Sequence, residues 1–401
     1  MDKNKVLVTL IIVIGFGMLW RFLTFYTTDD AQLQQDFNEK YYVFALNTPK
    51  DLSFAGEKVP IQQFDVRERI DRELLTNTYW QSSTMLLHKR AHRWFPVIAP
   101  ILKKNGIPED FKYLALAESG FTQVTSPAGA VGFWQFLEST GKSYGLEITE
   151  DIDERYNVER STEAACKYFR EAYSLLGSWS LVAASYNMGI GGIKKQIERQ
   201  KVNSYFDLLL NDETFRYVFR VLALKEIMSK PSQYGYRFRK TDLYTPYEYS
   251  TVKVDSSIAN LADFAASQGT NYKYLKLLNP WLRQNSLPNK QHKLYFIKIL
   301  KPEYSGMDLD ADANKYVVDS FAIKAVTNIK KLSADELPPS PAVPADAKMI
   351  TYKVKKGETI EEIAQKHNVS VENLKQWNEI EGKEMIKGDK LIIYVTPNKQ
   401  E

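Results

Sequence analysis

The segment FKYLALAESGF, Phe111 to Phe121, places one carboxylate, Glu118, at the end of an otherwise apolar helical run. Burying a charge is costly, so an acid in such surroundings needs a reason. Burial raises a carboxyl pKa, and the negative carboxyl end of a helix acts in the same direction. Both effects keep a proton on Glu118 near neutral pH, which is the state a general acid requires. Taken alone, a half-exposed glutamate at a helix end is the simpler reading.

Three further segments bear on that choice. SPAGAVGFWQF, Ser126 to Phe136, is a turn of small residues leading into Phe133, Trp134 and Gln135. Its glycines permit close backbone approach, and Gln135 offers donors and an acceptor suited to sugar amides and hydroxyls. LVAASYNMGIGG, Leu181 to Gly192, ends a helix with Tyr186, Asn187 and a glycine cluster. ETFRYVFRVLALKEI, Glu213 to Ile227, is a helix carrying Tyr217. Each segment alone says little, because Tyr and Gln on helices are usually core or surface. Phe133 and Trp134 fit a cleft wall or core packing.

In this order the four segments resemble lytic transglycosylases with a goose-lysozyme-like catalytic domain. The matching pieces are the pair Glu118-Ser119, the G-x-x-G-x-x-Q run Gly129 to Gln135, the A-x-Y-N-x-G run Ala184 to Gly189, and the late Tyr217. IDERYNVERSTEAACKYF (152–169) followed by GSWSLVAASYN (177–187) resembles the membrane-bound lytic murein transglycosylase D subfamily, which also carries LysM modules. Ser185 stands where that pattern often has alanine.

The resemblance implies cleavage of the bond between N-acetylmuramic acid and N-acetylglucosamine in peptidoglycan, leaving a 1,6-anhydro ring. It makes Glu118 the acid and then the base, with Ser119 and Tyr217 orienting it. Gln135, Tyr186 and Asn187 would hold the sugars. No metal and no cofactor is implied. Ordinary glycosidases use two carboxylates. Asp151, Asp153, Glu154 and Glu138 lie in charged or polar stretches that read as solvated. A hydrolytic muramidase would need one of them, Asp153 or Glu154, as its second acid. A non-catalytic peptidoglycan-binding protein would have no need of Glu118.

The elements that must position these residues follow from periodicity. From Asp65 to about Met228 apolar residues recur at helical spacing, as at Trp94, Ile98, Ile101 and Leu102. Breaks fall at Gly106-Ile107-Pro108, at Ser126-Pro127 and from Gly189 to Gly192. Pro108 with Glu109 and Asp110 is a favourable helix start. The expected architecture is multidomain. Residues 65–230 are expected to form an all-α domain, which the resemblance makes lysozyme-like and catalytic, preceded by an extension (30–64) and followed by small α+β units of βααβ order.

MITYKV (349–354), GETIEEIAQKHN (357–368), SVENLKQWN (370–378) and KLIIYV (390–395) read as strand, helix, helix and strand, with Ser370 a cap. Residues 349–396 resemble a LysM module, which implies binding of N-acetylglucosamine-containing glycans, with the turn Gly357, Glu358 and Thr359 at the glycan. Ile258, Leu261 and Ala262 repeat as Ile360, Ile363 and Ala364. Leu275, Lys276, Leu278 and Asn279 repeat as Leu374, Lys375, Trp377 and Asn378. Residues 249–299 are therefore expected to form a second, degenerate LysM-like unit, with Asp255-Ser256-Ser257 in place of the Gly-Glu-Thr turn. Residues 300–332 remain unassigned, and the proline-rich stretch 333–348 is a linker.

Composition narrows the partners. The 401 residues carry 53 Lys and Arg against 49 Asp and Glu, with both signs interspersed. That balance gives no basic field for nucleic acid. The single Cys166 rules out an internal disulfide and any Cys-rich zinc site. His88 and His92 could pair on a metal, but an exposed basic helix face is the plainer expectation. At the amino terminus Lys3 and Lys5 precede an uncharged run, Val6 to Trp20, then Arg21 and FLTFY. No small-x-small cleavage site follows, and no nearby Cys offers a lipid anchor. An uncleaved signal anchor over residues 1–29 is favoured over a cleaved signal peptide. Either places the rest on the periplasmic side of the bacterial envelope, in the first case tethered to the inner membrane.

Overall fold

The computed structural model describes residues 35, 38–39, 42–308, 316–317, 348–355, 357–378 and 390–395. The expected signal anchor and most of the Pro-rich linker lie outside these. The chain divides between Asn47 and Thr48, and the second unit carries everything below.

A two-stranded hairpin, β1 (Ser53–Phe54) with β2 (Glu57–Lys58), opens that unit. It is a clamp. The Glu57 carboxylate accepts from the backbone N–H of Trp179 and Ser180 and from the Ser178 and Ser180 hydroxyls. An anion placed on the unpaired N–H groups of a helix start is stabilising. The Ala55 N–H donates to Asp110, which also pairs with Lys225 at 2.6 Å. Nothing in the sequence of this extension announces those contacts.

The helical part then runs α1 (Phe64–Tyr79), α2 (Gln81–Lys104), α3 (Phe111–Ser119), α4 (Glu138–Ser143), α5 (Val158–Leu176), α6 (Trp179–Met188), α7 (Ile190–Gln200) and α8 (Asp212–Ser229). α8 buries residues around most of its circumference, from Thr214 to Met228, as a central helix must. α1, α3 and α6 pack on it, and α2 packs on α5. α3 is short and apolar, with Phe111 to Leu116 all buried. Gly120, at φ 55°, ends it in the left-handed region and returns its N–H to Leu116 O. One expected break is narrower than the sequence implies. Only Gly189 interrupts, while Gly191 and Gly192 lie inside α7.

Strand β3 (Phe238–Arg239) leads to the first βααβ unit, β4 (Tyr249–Val254), α9 (Leu261–Ser267), α10 (Tyr272–Leu278) and β5 (Tyr295–Leu300). β4 and β5 pair antiparallel from Tyr249–Leu300 to Val254–Tyr295. β6 (Tyr316–Val317) pairs back on β3. The last unit comprises β7 (Lys348–Lys353), α11 (Ile360–Lys366), α12 (Val371–Asn378) and β8 (Lys390–Val395). The internal repeat has a physical basis in one residue. Asn279 ends α10 and bonds both to Lys298 O (2.7 Å) and from Lys298 N–H (2.8 Å) on β5. Asn378 makes the same pair of bonds to Ile392 on β8, at 2.7 and 2.6 Å.

The first βααβ unit is not separate from the helical part. Ile152 is buried in its core with Leu282, Leu287 and Ile297. Asp153 N–H bonds Trp281 O, and Arg283 N–H bonds Asp151 O.

Candidate active site

Glu118 ends α3 with its carboxylate half-buried. The Tyr217 hydroxyl on α8 donates to its Oε1. Burial is the main influence and pushes the Glu118 carboxyl up to about 7. The Tyr217 hydrogen bond and the Arg220 charge pull it down, while Glu213 pushes it up. The phenols of Tyr217 and Tyr186 are held well above their ordinary value, first by burial and then by the neighbouring Glu118 charge. A carboxyl so placed is protonated in about half of the molecules at neutral pH, and can act as acid and as base.

The other expected site residues tie neighbouring segments together. Tyr186 on α6 donates to Trp134 O at 2.6 Å. Asn187 accepts from Thr214 Oγ1 at 2.6 Å and donates to Glu213 at 3.2 Å, so it links α6 to the start of α8. The Ser119 hydroxyl donates to Phe133 O (3.0 Å) and accepts from Phe121 N–H (3.1 Å). It ties the end of α3 to the 126–136 loop. Gln135 sits in the left-handed region at φ 48°, and its amide donates to Gly132 O and Val124 O. A non-glycine residue held there is strained backbone, kept by its surroundings. Phe133 and Trp134 are core: 2% and 0% exposed, with the Trp134 indole N–H on Thr162.

Gly132 explains the glycine spacing. At φ +79° it presses against the Arg155 carbonyl, and a Cβ there would lie 2.1 Å from that oxygen. Arg155 in turn binds Asp153 through Nε and Nη2 and reaches the carbonyls of Gly129 and Phe136. This corrects the solvated reading of two carboxylates. Asp153 and Glu154 are 7% and 6% exposed. Glu154 accepts from Glu147 N–H and pairs with Arg160. Asp153 is spent on the arginine that holds the loop, and Glu154 on Glu147 and Arg160. Glu138 is exposed and paired with Lys142, as expected. The signal available was the alternation Asp153-x-Arg155, whose two charges can fold back on one turn.

His88 overturns the exposed-face reading. It is buried against Tyr236 and Phe238, and burial lowers its pKa to about 3. His92 bonds Tyr244 O at 2.9 Å. Among the described residues no group of three or more His, Cys, Asp and Glu is placed to hold a metal. The buried Cys166 thiol is pushed up to about 12 and is inert. Ser185 fits by bonding Val182 O and the Tyr168 hydroxyl.

In the last unit the Gly-Glu-Thr turn supports itself. Glu358 accepts from Tyr352 (2.7 Å) and Lys355 N–H (2.8 Å). Thr359 and Glu362 form a capping box on α11. Ser370 caps α12 through Asn373 N–H.

A helical domain built round one protonatable acid, followed by βααβ units, defines a class of glycan-strand enzyme. Residues 96–208 match the transglycosylase SLT domain. Residues 250–303 match the soluble lytic transglycosylase C-terminal LysM-like domain, and 352–393 the LysM domain. Tyr217 lies beyond the first match. Two relatives are the membrane-bound lytic murein transglycosylases D of Escherichia coli strain K12 and of strain O6:H1 CFT073. Each is 30% identical over 350 residues, covering 85% of this chain and 72% of the relative. The chain belongs to the lytic murein transglycosylase D family.

Proposed function

We propose that the chain cleaves the β-1,4 bond between N-acetylmuramic acid and N-acetylglucosamine without consuming water, and that Glu118 carries the chemistry. Glu118 gives its proton to the glycosidic oxygen as the C1–O4 bond breaks. The muramyl 6-hydroxyl then attacks C1, closing the 1,6-anhydro ring, and its proton returns to the Glu118 carboxylate. The acid is regenerated, and atoms balance with no second carboxylate. Tyr217 orients Glu118, Ser119 fixes the segment behind it, and Gln135, Tyr186 and Asn187 line the sugar sites.

The observation that carries this reading is Glu118 itself, a carboxyl raised to about 7 and bonded by Tyr217. The hydrolytic alternative loses support because Asp153 and Glu154 are buried in ion pairs. The LysM unit, with the Gly357-Glu358-Thr359 turn at the glycan, would hold the enzyme on peptidoglycan. Residues 1–29 would anchor it in the inner membrane with the rest in the periplasm. Among the described residues no helix is long and apolar enough to cross a membrane, so the anchor rests on Val6 to Trp20.

The test is mass spectrometry of muropeptides released from purified peptidoglycan by the full-length protein. Anhydromuramyl ends are expected, and reducing ends would sink the reading. Glu118→Gln should fold and lose activity by about a factor of 10² to 10⁴, the usual worth of a general acid. Undiminished cleavage would mean another residue is the acid.

A further inference from the structure

The acid's environment includes a charge that works against it. Tyr217 on α8 bonds Glu118, and the charges of Arg220 and Glu213 on the same helix act on it, while Tyr186 on α6 feels the Glu118 charge. Arg220 lies one turn after Tyr217 on α8. A guanidinium near a carboxyl favours the ionised form, so an Arg220 charge not offset by a carboxylate would pull Glu118 toward losing the proton it must donate.

Across the α1–α8 interface sits Glu73. It is 1% exposed. Its Oε1 is 2.8 Å from Arg216 Nε, and its Oε2 is 3.9 Å from Arg220 Nε. The other charged or titratable groups around it are Arg69, one turn earlier on α1, and the Tyr205 phenol. Arg69 lies over the Phe215 ring at 3.4 Å. Stability alone does not explain a buried carboxylate here, since apolar packing would serve as well as a buried ion pair. Two arginines from the helix that carries Tyr217 converge on it.

We propose that Glu73 is a positioning residue for Glu118, holding the Arg220 guanidinium toward α1 and offsetting its charge so that the acid keeps its proton. This rests on the reading of Glu118 as the general acid. Glu73 lies outside the span 96–208 that matches the transglycosylase domain.

The experiment is the pH profile of kcat/KM for the full-length protein in detergent, on soluble glycan strands. Its alkaline limb reports loss of the acid's proton. Glu73→Gln should move that limb down by about half a pH unit or more, roughly a threefold loss of activity above the limb. The acidic plateau should change little. Arg220→Gln should move the limb up, and Glu73→Gln added to it should move it no further. If Glu73→Gln folds poorly, Glu73→Asp keeps the charge, withdraws it from Arg220, and should give a smaller displacement in the same direction.

A purely structural Glu73 would lower activity equally at all pH values and leave the limb in place, which overturns the proposal. A Glu73→Gln displacement that persists in the Arg220→Gln background overturns the route through Arg220. Displaced limbs with a fully active Glu118→Gln would overturn the acid assignment. An undisplaced limb with an inactive Glu118→Gln overturns the tether alone.

Discussion

Tyr217 donates its hydroxyl to Glu118 across 99 residues of sequence, and it does so to a carboxyl that burial is driving toward neutrality. The two effects oppose each other. Desolvation penalises the charged form, and the phenol stabilises it. Their balance leaves Glu118 near 7, where one residue can release a proton and recover it within a catalytic cycle.

Removing the phenol should therefore raise the acid rather than lower it. Tyr217→Phe loses a donor to the carboxylate, so the alkaline limb of kcat/KM should move to higher pH. Activity below the limb should fall, about tenfold or more, because the carboxyl is no longer oriented. A limb moving downward would show that the hydrogen bond serves the neutral acid.

The raised carboxyl also links to stability. Its ordinary value is 4.5 and its folded value about 7. Between these the folded state holds a proton the unfolded state has released, so stability falls as pH rises. It is fully present below 4.5 and lost through about 7, for a total near 3 kcal/mol. Denaturant unfolding of wild type and Glu118→Gln across pH 4 to 8 should show the difference between them changing by that amount. Parallel curves would contradict the burial of Glu118.

Gly132→Ala should damage the site from behind. Its Cβ would meet the Arg155 carbonyl at 2.1 Å, in a backbone conformation that disfavours alanine. A loss of at least about 2 kcal/mol is expected, with activity falling because Gln135 hangs from the Gly132 carbonyl. A melting temperature matching wild type would show that the loop adapts.

Asp153→Asn separates structure from chemistry. Breaking the buried pair with Arg155 should cost about 3–5 kcal/mol, while the folded fraction should still release anhydromuramyl products. Fully folded but inactive protein would bring back the second-acid reading, and mass spectrometry with calorimetry distinguishes these outcomes.

How much of this was legible depends on the range of the interactions. The sequence by itself determined the helical run, the βααβ repeat and the placing of Glu118 at the end of an apolar helix, because helical period, turn residues and capping act over a few neighbours. It grouped Gln135, Tyr186, Asn187 and Tyr217 with that acid only through the order of whole segments, and of these four Tyr217 bonds it. It misjudged Asp153, Glu154 and His88. A charged or polar residue looks solvated until the chain supplies its partner, and here the partners are a folded-back Arg155, Arg160 on the next helix, and the rings of Tyr236 and Phe238. Only the tertiary structure decided that Glu57 crowns α6, 122 residues away, that Glu73 gathers the arginines of α8, 143 residues away, and that Ile152 enters the core of the next unit. Coulomb attraction and desolvation act between atoms brought close in space, and no local pattern records which distant residue arrives to satisfy them.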